Sequence, residues 1–200
     1  MRLAVGLAAV GAAMVVLFLV PPALFVAATF GATAVMLAAA AFVGGVPRPR
    51  PTRRALMVGL GSAVLLYAVF YVGNVAVKAV GFPGTSSGTG ASIYSLIASP
   101  SNPLPLQVCV LAFDAAGFES FFRGALQTRL QARLGAGAAA ATALVDAGLH
   151  LVTLNPLWVA TTFVADLVWG LTYIAGRDLT ASATSHFLWD VAIFILRPIR

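Results

Sequence analysis

Three pairs of ionisable side chains in the second half of this sequence share one spacing. Glu119 and Arg123 are four residues apart, as are Asp146 and His150, and His186 and Asp190. A separation of four puts both members on one face of an α-helix, so each pair reads as a facing couple on its own helix. Together they use the only Glu and both His of the chain. A carboxylate and an imidazole held face to face can activate water, the carboxylate taking the proton while the imidazole orients or stabilises. A second imidazole can donate to a developing oxyanion, with Asp190 setting the tautomer of His186. That chemistry is hydrolysis of an amide. The same two His with carboxylates are also acceptable ligands for a divalent metal. No His-Glu-x-x-His occurs, so no cofactor is called for and a divalent metal stays open.

The elements that must position these residues are membrane helices. Of 200 residues, 60% are apolar and 9% charged, and the mean hydropathy is +0.98. A soluble domain carries about 25% charged residues. Residues 3–47, 55–77 and 79–113 contain no Asp, Glu, Lys or Arg, and about 20 apolar residues suffice to span the hydrocarbon core. The fold class is therefore all-α, a polytopic transmembrane helical bundle. A nucleic-acid-binding module, a disulfide scaffold and a cytosolic enzyme are excluded. Seven spans are predicted, at about 3–20, 23–45, 55–77, 104–130, 135–153, 157–175 and 179–196. The chain divides into N-terminal spans with a polar loop over 1–103, and a polar-site core over 104–200. Arg2 followed by apolar residues also fits a signal peptide, but the apolar stretch outruns a usual one and reads as a retained first span. The lone Cys109, inside an apolar run, is expected to be a core residue.

Residues 1–113 hold six bases and no acid, and four of those bases cluster at Arg48, Arg50, Arg53 and Arg54. The positive-inside rule makes that cluster a cytoplasmic loop. The N-terminus, Arg129, Arg133 and Arg177 then share its side, the loop 82–103 lies opposite, and Arg197 and Arg200 fall on the less favoured side. The expected location is the cell (inner) membrane. No internal repeat is visible.

An ionisable residue within a span costs about 2.5–3.5 kcal/mol on insertion scales and is functional by default. Depth can be counted from the turn near Leu134-Gly135. Glu119 and His150 each lie about 22 Å from it at 1.5 Å per residue, so they are predicted to be level. His186, eight residues past Asp178, counts as shallower. Plainer readings stand beside these. Glu119 with Arg123 can be an ordering ion pair, and either His can be interhelical glue. Asp166 has no partner four residues away, so it lines a cavity or bonds a neighbouring helix. Asp114, one turn before Phe118, can face the cavity too. Trp158, Trp169 and Trp189 read as packing or interface belt.

At these residues the sequence resembles a family. Phe118-Glu119-Ser120-Phe121-Phe122-Arg123-Gly124-Ala125-Leu126 resembles the Glu-Glu-x-x-Phe-Arg-Gly-x-Leu segment of the CPBP intramembrane proteases, which include CAAX prenyl proteases and bacteriocin-processing or immunity proteins. His150 falls where the second motif, Phe-x-x-x-His, places its histidine. His186-Phe187-Leu188-Trp189-Asp190 matches His-x-x-x-Asn/Asp. The resemblance covers about 104–196 and implies a glutamate-type intramembrane endopeptidase, with Glu119 and His150 activating water and His186 and Asp190 stabilising the intermediate. Its substrate would be a membrane-embedded or lipid-modified peptide or protein tail, met in the bilayer, with no nucleic acid. Two positions depart. The first Glu of the motif, usually the general base, is Phe118, and the Phe of the second motif is Asp146. Asp146, or Glu119 itself, then supplies the base. The alternative is a relative that holds a hydrophobic peptide or partner without cutting it, as an immunity or assembly factor. A small proton-relay transporter is a third reading, weakened by the lack of repeats.

Overall fold

A computed structural model of the chain describes residues 1–44, 48–81, 97 and 102–199. Most of the expected loop over 82–103, Gly45 after the second span, Pro47 in the basic cluster and Arg200 lie outside the described residues. Seven helices account for the described chain: α1 Arg2–Leu19, α2 Phe25–Gly44, α3 Arg53–Ala79, α4 Leu104–Leu134, α5 Gly137–Thr153, α6 Pro156–Gly176 and α7 Leu179–Leu196. No strand occurs among the described residues.

Local chemistry sets the boundaries. Pro21-Pro22 ends α1 and opens a 3-10 turn at Pro22–Leu24 before α2, since proline has no N–H for the ladder. The Thr52 hydroxyl accepts from the Ala55 N–H at 3.1 Å and caps α3. Gly135 turns the α4–α5 corner with φ of 54°, a conformation glycine adopts without strain. The Asn155 carboxamide oxygen caps α6 through the N–H groups of Leu157 and Trp158, with Pro156 in the first turn. Asp178 does the same for α7, accepting from Thr180 N at 2.7 Å. Such caps satisfy donors that a helix start leaves open.

Six of the seven helices are long and apolar enough to cross a membrane. The span expected at 135–153 is the short one. It holds thirteen α-helical residues and a 3-10 turn of four, which gives about 28 Å because 3-10 geometry rises faster. The stretched last turn brings it close to the roughly 30 Å of a hydrocarbon core.

The outer faces are apolar, as a bilayer requires. On α3, Val64, Leu65 and Val72 are exposed, while Ala55, Ala63 and Leu66 are buried. Cys109 follows the same logic. It was expected in the core but is exposed on α4, since facing lipid costs an apolar side chain nothing. Inside the bundle, α3 runs against α6 and α7, α5 against α6, and α1 and α4 against α2. Small residues permit the approach. A Cβ on Gly170 of α6 would press on Ala139 and the Gln127 side chain.

The basic residues expected on one side do gather at one end. The Arg50 N–H donates to both oxygens of Asp178 at 3.0 Å. The Arg54 guanidinium reaches the Ala175 carbonyl at 3.2 Å, and that of Arg129 reaches the Val43 carbonyl at 2.6 Å.

Candidate active site

The charged cluster is built where α4 changes its winding. Over Ser120–Gln127 the helix becomes a π-helix, whose i→i+5 bonds pack more residues into each turn. Glu119 stands at its start, with Arg123 and Gln127 inside it. The Arg123 side chain is wholly buried and is met on every side. Its Nε lies 3.3 Å from Glu119 Oε2. Its Nη1 donates to Gln127 Oε1 and Thr142 Oγ1, both at 3.0 Å, and its Nη2 to Asp166 Oδ1. Gln127 is fixed in turn by donating to the Gly170 carbonyl at 2.9 Å. Asp166 thus has its partner across the bundle rather than on its own helix. A guanidinium offers five donors in a rigid fork, which suits it to tie α4, α5 and α6 together.

The other oxygen of Glu119 turns towards α7. Oε1 is 3.0 Å from Nδ1 of His186 on α7. On the far side of the ring, Nε2 is 3.5 Å from Asp190 Oδ2. Oxygens that accept face both ring nitrogens, the setting in which both carry hydrogen. Trp169 stacks on the imidazole at 3.7 Å and 15°, and Phe118 meets it edge-on at 5.1 Å.

The second couple is separate. His150 begins the 3-10 turn of α5, its Nδ1 3.0 Å from the Asp146 carbonyl oxygen and 3.5 Å from Asp146 Oδ1. A carbonyl only accepts, so Nδ1 carries the hydrogen and Nε2 is left with a lone pair in the neutral ring. Phe18 of α1 lies against the ring at 5.1 Å and Trp158 of α6 at 6.2 Å. The imidazole bonded to Glu119 is therefore that of His186, whereas the depth count pairs Glu119 with His150. Counting rise along the α4–α5 hairpin gives depth but not which faces meet, and Glu119 faces α7.

Four contributors were not singled out as such from sequence: Gln127, Thr142, the ring stack of Trp169, and Thr33 of α2. The Thr33 hydroxyl donates to Asp114 Oδ1 at 3.1 Å. A polar residue in an otherwise apolar helix was the available signal for Gln127, Thr142 and Thr33. Asp114, His186 and Asp190 each place a ligand-capable atom within 4.8 Å of the other two, and these are the described residues able to share a divalent metal. A small cavity touches the cluster at Glu119, and a larger apolar groove has no cluster residue in its lining. The cavity, of about 120 Å³, runs from Pro49 to Glu119 between Ser120 and Thr180. The groove, of about 520 Å³, opens between α5 and α6, lined by Ala147, Leu151 and Phe163 among others.

Residues 100–192 match the family described as Type II CAAX prenyl endopeptidase Rce1-like. No curated protein and no solved structure matches the chain. The matched stretch contains Glu119, Arg123, His150, His186 and Asp190, together with all but the last turn of the four-helix frame that holds them. Over residues 100–192 this multi-pass membrane protein is similar to the CPBP family, and the match supports a CAAX-type intramembrane protease fold.

Proposed function

We propose that the protein is an intramembrane endopeptidase that cuts a membrane-associated peptide or protein tail in a cell membrane, with water as the nucleophile. The observation that carries this reading is the buried line Glu119–His186–Asp190, a carboxylate, an imidazole and a second carboxylate spanning α4 and α7. Glu119 holds Nδ1–H, so the ring cannot turn. Nε2–H, 3.5 Å from Asp190 and not in a tight bond, is available to an oxyanion as a carbonyl becomes tetrahedral. A preorganised donor of this kind, in a site from which bulk water is excluded, is worth about 2.7–4 kcal/mol of barrier. Trp169 and Phe118 wall the ring and keep that donor from being spent on solvent.

His150, with Nε2 unprotonated and Asp146 behind it, supports the attacking water from α5. Glu119, with Oε1 bonded to His186 and Oε2 in ion-pair contact with Arg123, acts through His186 rather than on the water. The match to a CAAX prenyl endopeptidase family favours a lipid-modified tail as the substrate class, and the apolar groove beside His150 suits such a tail.

Peptide-terminus mapping of membrane proteins tests the reading, in cells carrying wild type, Glu119→Gln or His186→Ala at matched levels. New termini seen only with wild type are expected. Identical termini in all three would overturn it.

A further inference from the structure

If water is the nucleophile, a base must take its proton, either the free Nε2 of His150 or a carboxylate, and among the carboxylates one stands out. The chain has six acidic residues. Asp178 caps α7 at the end of the bundle, 3.0 Å from the Arg50 N–H. Asp166 is fully buried and bonded to Arg123. Glu119 is 1% exposed and divided between Arg123 and His186. Asp146 is also 1% exposed and lies behind His150. Asp190 faces the Nε2–H that an oxyanion would need.

Asp114 remains. It is part-exposed and makes no ion pair within 4.0 Å among the described residues. Thr33 fixes Oδ1 from α2, leaving Oδ2 open. Its carboxylate stands within 4.8 Å of both the His186 ring and Asp190. The close seat of α2 that brings Thr33 there depends on Gly117, where any Cβ would collide with the Thr33 side chain.

We propose that Asp114 is the catalytic base, its Oδ2 taking the proton of the attacking water. This rests on the proteolytic reading above. The water oxygen bonds to the scissile carbonyl carbon as Asp114 takes one of its protons, and the carbonyl electron pair moves onto oxygen, held by Nε2–H of His186. On collapse the C–N bond breaks, and the leaving nitrogen takes the proton back from Asp114. The carboxylate is restored and no other reactant is needed.

The test uses the full-length protein in lipid nanodiscs with a fluorogenic peptide ending in a farnesylated CAAX-type tail. Asp114→Asn, close in shape to the native residue, is expected to lower kcat by about 100-fold or more, the range of general-base loss, with KM little changed. Asp114→Glu should recover part of it. An Asp114→Asn enzyme within about threefold of wild type overturns the proposal, that margin being small beside a general-base loss. So does activity that a chelator removes and zinc restores, because the carboxylate would then be a metal ligand. If wild type cuts no such tail, it is the proteolytic reading that fails for this substrate. The placement of Asp114 is then judged by ¹⁵N spectra of the His186 imidazole. A shift at His186 on Asp114→Asn supports it, and an unchanged His186 signal overturns it.

Discussion

The surroundings of the two imidazoles are built on different principles. Around His186 the contacts come from the C-terminal helices alone. Carboxylates of α4 and α7 face the two ring nitrogens, and Trp169 of α6 covers one face of the ring. Around His150 a single backbone carbonyl and Asp146 hold one nitrogen, and the rest of the cage is aromatic, with Phe18 contributed by α1. One ring is fixed by charge on both sides, the other by shape and by a 3-10 turn beside an open groove. Charge-assisted bonds fix direction more firmly than ring contacts. On the proteolytic reading proposed above, the difference suits His186 to oxyanion stabilisation, whose geometry must not vary, and His150 to a role that adjusts as a chain enters. It also shows why an N-terminal half with no acids is still needed, since α1 and α2 deliver Phe18 and Thr33 to the site.

The largest effect should come from breaking the charged side. His186→Gln is expected to lower kcat by about 1,000-fold, in the range of a lost oxyanion donor, and His150→Gln by about 10- to 100-fold. Equal losses in the fluorogenic assay would erase the distinction. Arg123→Leu should next show how far that side depends on its ionic frame. It leaves Glu119 and Asp166 buried without a cation, a cost of about 3–5 kcal/mol in stability. Thermal unfolding in detergent should show a lowered Tm, and adding Asp166→Asn should recover part of it. No recovery would mean that Arg123 acts by packing alone.

A smaller effect sharpens the aromatic side. Phe18→Leu keeps an apolar side chain but removes the ring beside His150, where such pairs are worth about 0.5–1.5 kcal/mol. A two- to tenfold fall in kcat/KM is expected, and none in a His150→Gln background, since the two changes act on one contact. Additive losses would place Phe18 elsewhere in the mechanism.

How much of this was legible in the sequence follows from what helical spacing encodes. Uncharged runs mark the helices, and Pro21-Pro22, Asn155-Pro156 and Asp178 punctuate them where the chain turns. A spacing of four gives Glu119–Arg123, Asp146–His150 and His186–Asp190, and all three couples are in contact. Spacing says which residues share a face, not which faces meet. The partner of Glu119 is on α7 rather than α5, which a count of rise along one hairpin cannot anticipate. Asp166 has no couple on its own helix because its cation is on α4. Thr33 and Asp114 are 81 positions apart, and no local pattern joins them. Cys109 misled because an apolar run in a bilayer protein has two apolar places to go, the core and the lipid.

The smallest predicted effect concerns the helix that carries His186. Asp178 caps α7 and also receives the Arg50 N–H on both oxygens. Partial burial pushes its carboxyl up, but hydrogen bonds from Thr180 and Arg50 and the charge of Arg50 outweigh that and hold it below the usual value. A carboxylate stabilised in the folded state contributes fully above its unfolded pKa of about 3.9 and loses that contribution as pH falls through its folded value. Asp178→Asn keeps an accepting oxygen for Thr180, so the loss at neutral pH should be about 0.5 kcal/mol. Tm measured against pH should show the variant slightly below wild type at pH 7, with the two curves converging below about pH 4. Because His186 is gripped at both nitrogens two turns further along α7, kcat should hardly move. A drop in kcat as large as that of Phe18→Leu would show that His186 takes its position from the start of the helix, and that Glu119 and Asp190 only follow it.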